Sequence, residues 1–405
     1  MNRITIMNAR VAGEDTLQTL HIEGEHFVAA PSGPTQTLDL KGALVLAGLV
    51  ETHIHLDKAC IIGRCLLEEG TLAEAIEQTA RAKASFSEED VYRRGARVLE
   101  QAITQGTTRM RTHIEIDPVI GLTGFNAIRR LQADYAWGVD LQLCVFPQEG
   151  MLNNPGTEAL LCEALASGAD LLGGCPYTDS DPRGQIARLF ALAQRYDVDL
   201  DFHLDFDLLP ENRLVDEVIA HTRSTGWAGR VTVGHVTKLS TLDIDALRQL
   251  AAQLADAGVQ VTALPATDLF LTGREHFALK PRGVAPLDEL DRCGVTCSLS
   301  TNNIANPFTP YGDASLVRQA NLFANVRQLA SREDMVRCLG WISGQSAKVL
   351  RVTDYGLTPG CLADLVAFDV ESADGVVARI APPICGFKRG RQTFVRPAAK
   401  LLRPD

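Results

Sequence analysis

His53 and His55 stand one residue apart at the end of an apolar run, Val50-Glu51-Thr52-His53-Ile54-His55-Leu56-Asp57. Side chains on a strand alternate faces with period two, so both imidazoles project the same way while Ile54 turns into the packing. That is the geometry of a two-nitrogen clamp for a metal ion. Three more histidines follow, each near the C-terminal end of another apolar segment: His113 in Arg111-Thr112-His113-Ile114-Glu115, His203 in Asp201-Phe202-His203-Leu204-Asp205, and His235 in Val231-Thr232-Val233-Gly234-His235. A pair of histidines two apart recurs by chance; five of the chain's nine placed at such ends favour a metal centre. His21, His26, His221 and His276 fall outside the pattern and read as surface or packing residues.

The segments that must carry these side chains alternate in character. Strand patterns run over Leu44 to His55, Thr107 to Glu115, Asp140 to Phe146, Leu171 to Gly174, Val198 to Asp205, Arg230 to His235, Gln260 to Leu264 and Val295 to Ser300. Between them lie helical patterns such as Thr71 to Ala84, Glu88 to Gln105, Thr157 to Ser167, Arg183 to Tyr196, Arg213 to Thr225 and Thr241 to Ala257. Ser87 before Glu88-Glu89-Asp90, and Ser240-Thr241-Leu242-Asp243, offer capping oxygens and first-turn acid. Eight strands separated by helices predict an α/β fold, a (β/α)8 barrel over residues 47–354 with its active site at the C-terminal ends of the strands, where the histidines fall. The flanks, residues 1–46 and 355–405, carry short alternating strands and no long helix. Each is too small to be stable alone, so a small β-sandwich domain made from both is expected.

Composition narrows the partners. A chain of 405 residues, 46% hydrophobic and 22% charged, buries a large core. The net charge of -11 is spread along the chain without a basic stripe, which argues against nucleic acid. No stretch reaches the roughly 18 apolar residues of a membrane span, and Met1-Asn2-Arg3-Ile4-Thr5-Ile6 runs straight into strand-like alternation, so a cytoplasmic protein is expected. The ten cysteines form no paired Cys-x-x-Cys knuckles and read as reduced core residues.

At this point the chain resembles the amidohydrolase superfamily, and within it the cytosine deaminase branch. The resemblance rests on His53-Ile54-His55-Leu56-Asp57-Lys58, Arg111-Thr112-His113, Phe146-Pro147-Gln148-Glu149-Gly150, His203, His235 and the tail Tyr355-Gly356-Leu357-Thr358-Pro359-Gly360-Cys361-Leu362-Ala363-Asp364-Leu365-Val366. It implies that His53, His55 and His203 ligate one divalent metal, zinc first and iron second. It further implies that His235 lies beside the metal-bound water and that Gln148 holds a carbonyl or ring nitrogen of the substrate. Neutral imidazole ligands leave the metal's charge largely intact, so water on it ionises near neutral pH and attacks an amidine-like or amide carbon.

Two positions depart from that pattern. Where the family has a metal-binding, proton-accepting aspartate, the chain reads Ser300-Thr301-Asn302-Asn303. Asn302 can coordinate through its amide oxygen but cannot act as a base near pH 7. Three residues after His203, where the cytosine deaminase pattern has a proton-shuttling glutamate, stands Phe206. Asp205 shares the face of His203 by the period-two argument, either as an acid or base or as a carboxylate that only orients a neighbouring histidine. Glu149 is either a proton relay or a salt bridge at the barrel rim. His113 packs in the barrel mouth or binds metal, and Asp57 and Lys58 line the pocket or pair with each other. Asp268, Arg274 and Phe308 are candidate pocket walls.

The expected function is metal-dependent hydrolysis of a carbon-nitrogen bond in a small heterocycle or cyclic amide, with a small-molecule partner and a homo-oligomer left open. The alternative is a relative that binds a heterocycle without turning it over.

Overall fold

The computed structural model describes residues 2–402; Met1 and residues 403–405, the outer ends of the expected composite domain, lie outside them. Eight parallel strands follow one another in spatial order: Leu49–Ile54, Thr107–Glu115, Asp140–Phe146, Leu171–Gly174, Asp199–Leu204, Val231–His235, Val259–Ala263 and Cys297–Leu299. The sheet closes through the residues just beyond its ends. Asn302 N–H donates to His53 O and His55 N–H to Asn302 O, both at 2.9 Å, across a parallel bridge between Ile54 and Asn302. A (β/α)8 barrel with helices between the strands results, as the alternation of patterns requires.

The strand expected over Leu44 to His55 is two strands in two different sheets. Leu44–Ala47 pairs antiparallel with Leu365–Phe368 of the C-terminal flank, and Leu49–Ile54 opens the barrel. The break falls at Gly48, where a Cβ would lie 2.1 Å from Thr108 Oγ1. Only glycine allows that approach.

Both flanks join the second sheet. Arg3–Val11 pairs with Gln18–Glu23, Gln36–Asp39 and Leu44–Ala47, and the sheet continues through Leu365–Phe368, Pro383–Lys388 and Arg391–Val395. Ile6, Ile22, Phe27, Val45, Leu365 and Phe387 form its shared apolar core. At its border with the barrel, Lys388 Nζ donates at 2.7 Å to both Asp364 and Asp140, and Arg389 donates to Asp140 at 3.0 Å.

Local signals set several helix ends. Ser87 Oγ accepts from Asp90 N–H at the start of Glu88–Thr104. Asp243, rather than Ser240 or Thr241, caps Ile244–Ala257 through the amides of Asp245 and Ala246. The helix Thr123–Asp134 has no side-chain cap, and its sequence start, Gly121-Leu122-Thr123-Gly124, reads as a turn. Among the described residues no helix is long and apolar enough to cross a membrane, and all ten cysteines are free.

Candidate active site at the barrel mouth

Three imidazoles meet where the first and fifth strands end. His53 Nε2 and His55 Nε2 lie 3.1 and 3.0 Å from His203 Nε2, in rings that are at most 2% exposed. Gly234 on the sixth strand leaves space for this cluster, since a Cβ there would sit 3.2 Å from the His53 ring. Burial, with repulsion from neighbouring charged groups, pushes all three well below the ordinary histidine value. The rings are therefore neutral near pH 7, and their Nδ1 atoms have no hydrogen-bond partner. Three converging nitrogens on neutral rings cannot all be satisfied by donating to one another. A divalent cation satisfies them, and the Oδ1 of Asn302, buried and without a partner, opens onto the same pocket. These residues fit a metal centre.

Behind the cluster, Asp201 on the fifth strand is fully buried. Its Oδ2 accepts from Arg111 Nη1 at 2.7 Å, while Oδ1 has no partner and lies 3.8 Å from His53 Nδ1 and 3.5 Å from His113 Nε2. The His113 ring stacks on His53 at 3.7 Å, so it supports that ring and does not line the pocket.

His235 lines the pocket at the end of the sixth strand. Its Nδ1 is 2.6 Å from Asp268 Oδ1, which leaves Nε2 as the ring nitrogen free for a ligand. Burial raises the Asp268 carboxyl, and the contact with His235 opposes that rise. Asp268 is thus the partner of a histidine and does not line the pocket.

Gln148 also lines the pocket, but its acceptor is already engaged. Lys58 Nζ donates to Gln148 Oε1 at 2.9 Å and to Glu115 Oε1 at 2.7 Å, and lies 4.4 Å from the Phe308 ring centroid. An ammonium only donates, so the contacting atom of Gln148 is its oxygen; its amide nitrogen donates to Cys175 Sγ at 3.5 Å, which leaves the second N–H for a ligand. Lys58 is not charge-paired with Asp57, whose oxygens take the backbone amides of Lys58 and Glu115 at 2.8 Å.

Three expected candidates are not brought to the cluster. The fifth strand ends at Leu204, and Asp205 takes a left-handed backbone (φ 49°), so the period-two argument stops one residue short of it. Its carboxylate accepts from the amides of Leu214 and Val215, at 2.8 and 3.0 Å, at the start of the helix Val215–Thr225. Glu149 forms a rim ion pair with Lys83, whose ammonium also takes Asp117 at 2.6 Å and Glu115 at 3.2 Å. That cation occupies the space among the three acids. Arg274 is exposed and bonds to the carbonyls of Glu69 and Phe270 outside the pocket.

The remaining walls are Tyr177, Phe206, Thr267, Asn303 and Phe308. Phe206 stacks on His235 at 4.0 Å. Tyr177 had no signal in the sequence, because it lies on a short 3-10 turn after the fourth strand, outside the histidine pattern.

Solved structures share this arrangement of the whole chain. The 5-methylcytosine deaminase of Klebsiella pneumoniae, solved with 5-fluorocytosine, superposes with a TM-score of 0.94 at 27% identity, covering 99% of each chain. The N-isopropylammelide isopropylaminohydrolase of Burkholderia multivorans gives 0.84 at 28% identity over 97% of this chain and 98% of that one. In sequence, the N-isopropylammelide isopropyl amidohydrolase of Pseudomonas sp. (strain ADP) is 25% identical over 404 residues, 96% of each chain. A profile of the amidohydrolase family matches residues 66–394, and with the barrel and its histidine cluster this shows that the chain belongs to that family.

Proposed function

We propose that this protein is a metal-dependent hydrolase that cleaves a carbon-nitrogen bond of a small heterocycle, releasing ammonia or an amine. The observation that carries the reading is the convergence of three neutral imidazole nitrogens, His53, His55 and His203, to about 3 Å beneath a walled pocket. Relatives named as deaminases and aminohydrolases of cytosine-, ammelide- and pterin-type rings support it. We take the metal to be zinc, with Asn302 Oδ1 as a fourth ligand.

A bound divalent cation supplies the Lewis acidity that makes a water nucleophilic near neutral pH. The other tasks fall to the chain's own groups. Asn302 cannot accept a proton, so we assign that task to His235 Nε2, with Asp268 holding the proton on Nδ1 and steadying the charged ring. Gln148, turned by Lys58, donates its amide N–H to a ring carbonyl or unprotonated ring nitrogen. Phe206 and Phe308 wall the pocket and keep bulk water from the reacting carbon. The His235–Asp268 pair favours turnover over simple binding, because a buried acid-base pair has no use in a site that only holds a ring.

The test is elemental analysis followed by an ammonia- and amine-release screen over pyrimidines, triazines, pterins and cyclic ureas. One divalent ion per chain and release from at least one ring are expected. The double variant His53→Ala, His55→Ala should fold, because the core is apolar, and lose its metal. Full metal occupancy in that variant, or no release from any ring by the metal-loaded protein, refutes the reading.

A further inference from the structure

The pocket around His55, His203, His235 and Asn302 has a volume of only about 10 Å³. That is about the space one water molecule requires, and far less than any ring. Immediately outside it lies a cavity of about 490 Å³, within the range of small-molecule sites. Phe206 belongs to the lining of both. It packs with Ala75, Leu271 and Phe308 in a small apolar cluster that also touches Leu72 and Tyr177. Phe206 is thus the wall that separates the two compartments, and a shift of its ring toward the larger cavity would join them.

Whatever the ring carries on that side comes to rest in the outer cavity. Its walls are Leu72, Phe206, Leu208, Leu209 and Leu271, with Thr272 and Gly273 beyond. Its charged lining is mainly acidic: Asp207, 3.1 Å from Lys238 Nζ, and Glu275, beside His276. From continuity with the candidate active site, apolar walls and an acidic rim, we infer that the outer cavity is a substrate subsite for an apolar arm. The preferred ligand class is a heterocycle bearing an uncharged alkyl or aryl substituent; a substituent ending in a carboxylate is disfavoured by Asp207 and Glu275. The inference rests on the hydrolase reading for the identity of the inner ligand, and its own content is the arm.

The experiment measures binding by calorimetry to the metal-loaded protein for a homologous series of N4-alkylcytosines, methyl to hexyl, and for the 5-carboxypentyl analogue. Each buried methylene is worth about a fourfold gain in affinity. The expected result is a hexyl-to-methyl affinity ratio of at least tenfold, with the carboxypentyl ligand weaker than the hexyl one. Leu209→Asp, a change at an exposed position, is expected to collapse the hexyl-to-methyl ratio toward one. A flat series, or a ratio untouched by Leu209→Asp, overturns the subsite. Amine or ammonia release, followed on the same ligands, separates the two readings. Release with a flat affinity series keeps the hydrolase and removes the subsite. A rising series without release from any ring keeps the subsite and removes the hydrolase. Failure of every member to bind overturns the subsite, and the hydrolase reading then stands or falls on the release screen over the other rings.

Discussion

On the proposed metal site, the carboxylate of Asp201 links metal binding to fold stability, and Asp201→Asn tests both at once. The substitution preserves shape and removes charge. One effect falls on Arg111, whose buried guanidinium loses the negative charge of its 2.7 Å partner. Breaking a buried pair from one side costs about 3 to 5 kcal/mol. Arg111 keeps Val349 O at 3.1 Å and Gln142 Oε1 at 3.2 Å, so the lower end, about 3 kcal/mol, is expected. The other effect falls on His53. Metal-ligating histidines usually donate their second ring N–H to a carboxylate, and Asp201 Oδ1, itself without a partner, faces His53 Nδ1 at 3.8 Å. Losing it should weaken metal binding by roughly 10- to 100-fold. Urea unfolding of the metal-free protein reads the first effect, and zinc competition against a chelator of known affinity reads the second. A variant within threefold of wild-type zinc affinity would show that Asp201 does not support His53. A loss of under about 1 kcal/mol in the metal-free protein would show that Arg111 does not depend on it.

Three further outcomes follow from the site. Burial would raise Glu115, but Lys58 and Lys83 outweigh it and hold the carboxyl at about 2, below its ordinary 4.5. Its contribution to stability, on the order of 3 kcal/mol, is therefore complete above pH 4.5 and lost as pH falls toward 2. Lys83→Met should move the acid-unfolding midpoint to higher pH, and coincident acid limbs would refute the assignment. Asp205→Ala removes the acceptor for the amides of Leu214 and Val215, so a loss of about 1 to 2 kcal/mol with unchanged metal content is expected; loss of metal instead would return Asp205 to the centre. Asn302→Asp places a carboxylate beside the cluster and should alter the pH profile of turnover, whereas His235→Ala should lower kcat by at least about 100-fold; a kcat undiminished in His235→Ala would remove His235 from proton transfer.

The parts of this architecture that could be read in the sequence are those governed by local periodicity. His53 and His55 share a face because the hydrogen-bond ladder of the first strand, Leu49–Ile54, runs on through the His55 amide to Asn302 O, and the alternation of strand and helix patterns is itself the barrel. Where periodicity ends, reading failed. Asp205 sits one residue beyond its strand in a left-handed backbone, so its face could not be counted from His203. Gly48 interrupts an unbroken apolar run because of Thr108, a neighbour some 60 residues away that only the closed sheet supplies. The pairing of Asp268 with His235, and of Lys58 with Gln148, joins side chains from different strand ends. Such pairs depend on how barrel closure orients those ends, and no spacing along the chain encodes them.

The seam that closes the barrel has a consequence for how the protein comes into being. Its hydrogen bonds run from Asn302 to the backbone of His53 and His55, about 250 residues earlier, so the strand bearing two of the three imidazoles is locked only when the eighth segment arrives. Contacts of such sequence separation form slowly, and during synthesis everything before Asn302 leaves the ribosome without its closing partner. On the proposed metal site, capture of the ion at full affinity is thus expected to be a late event in the life of each molecule. A nascent chain stalled before residue 302 should carry all three histidines and still hold the ion weakly.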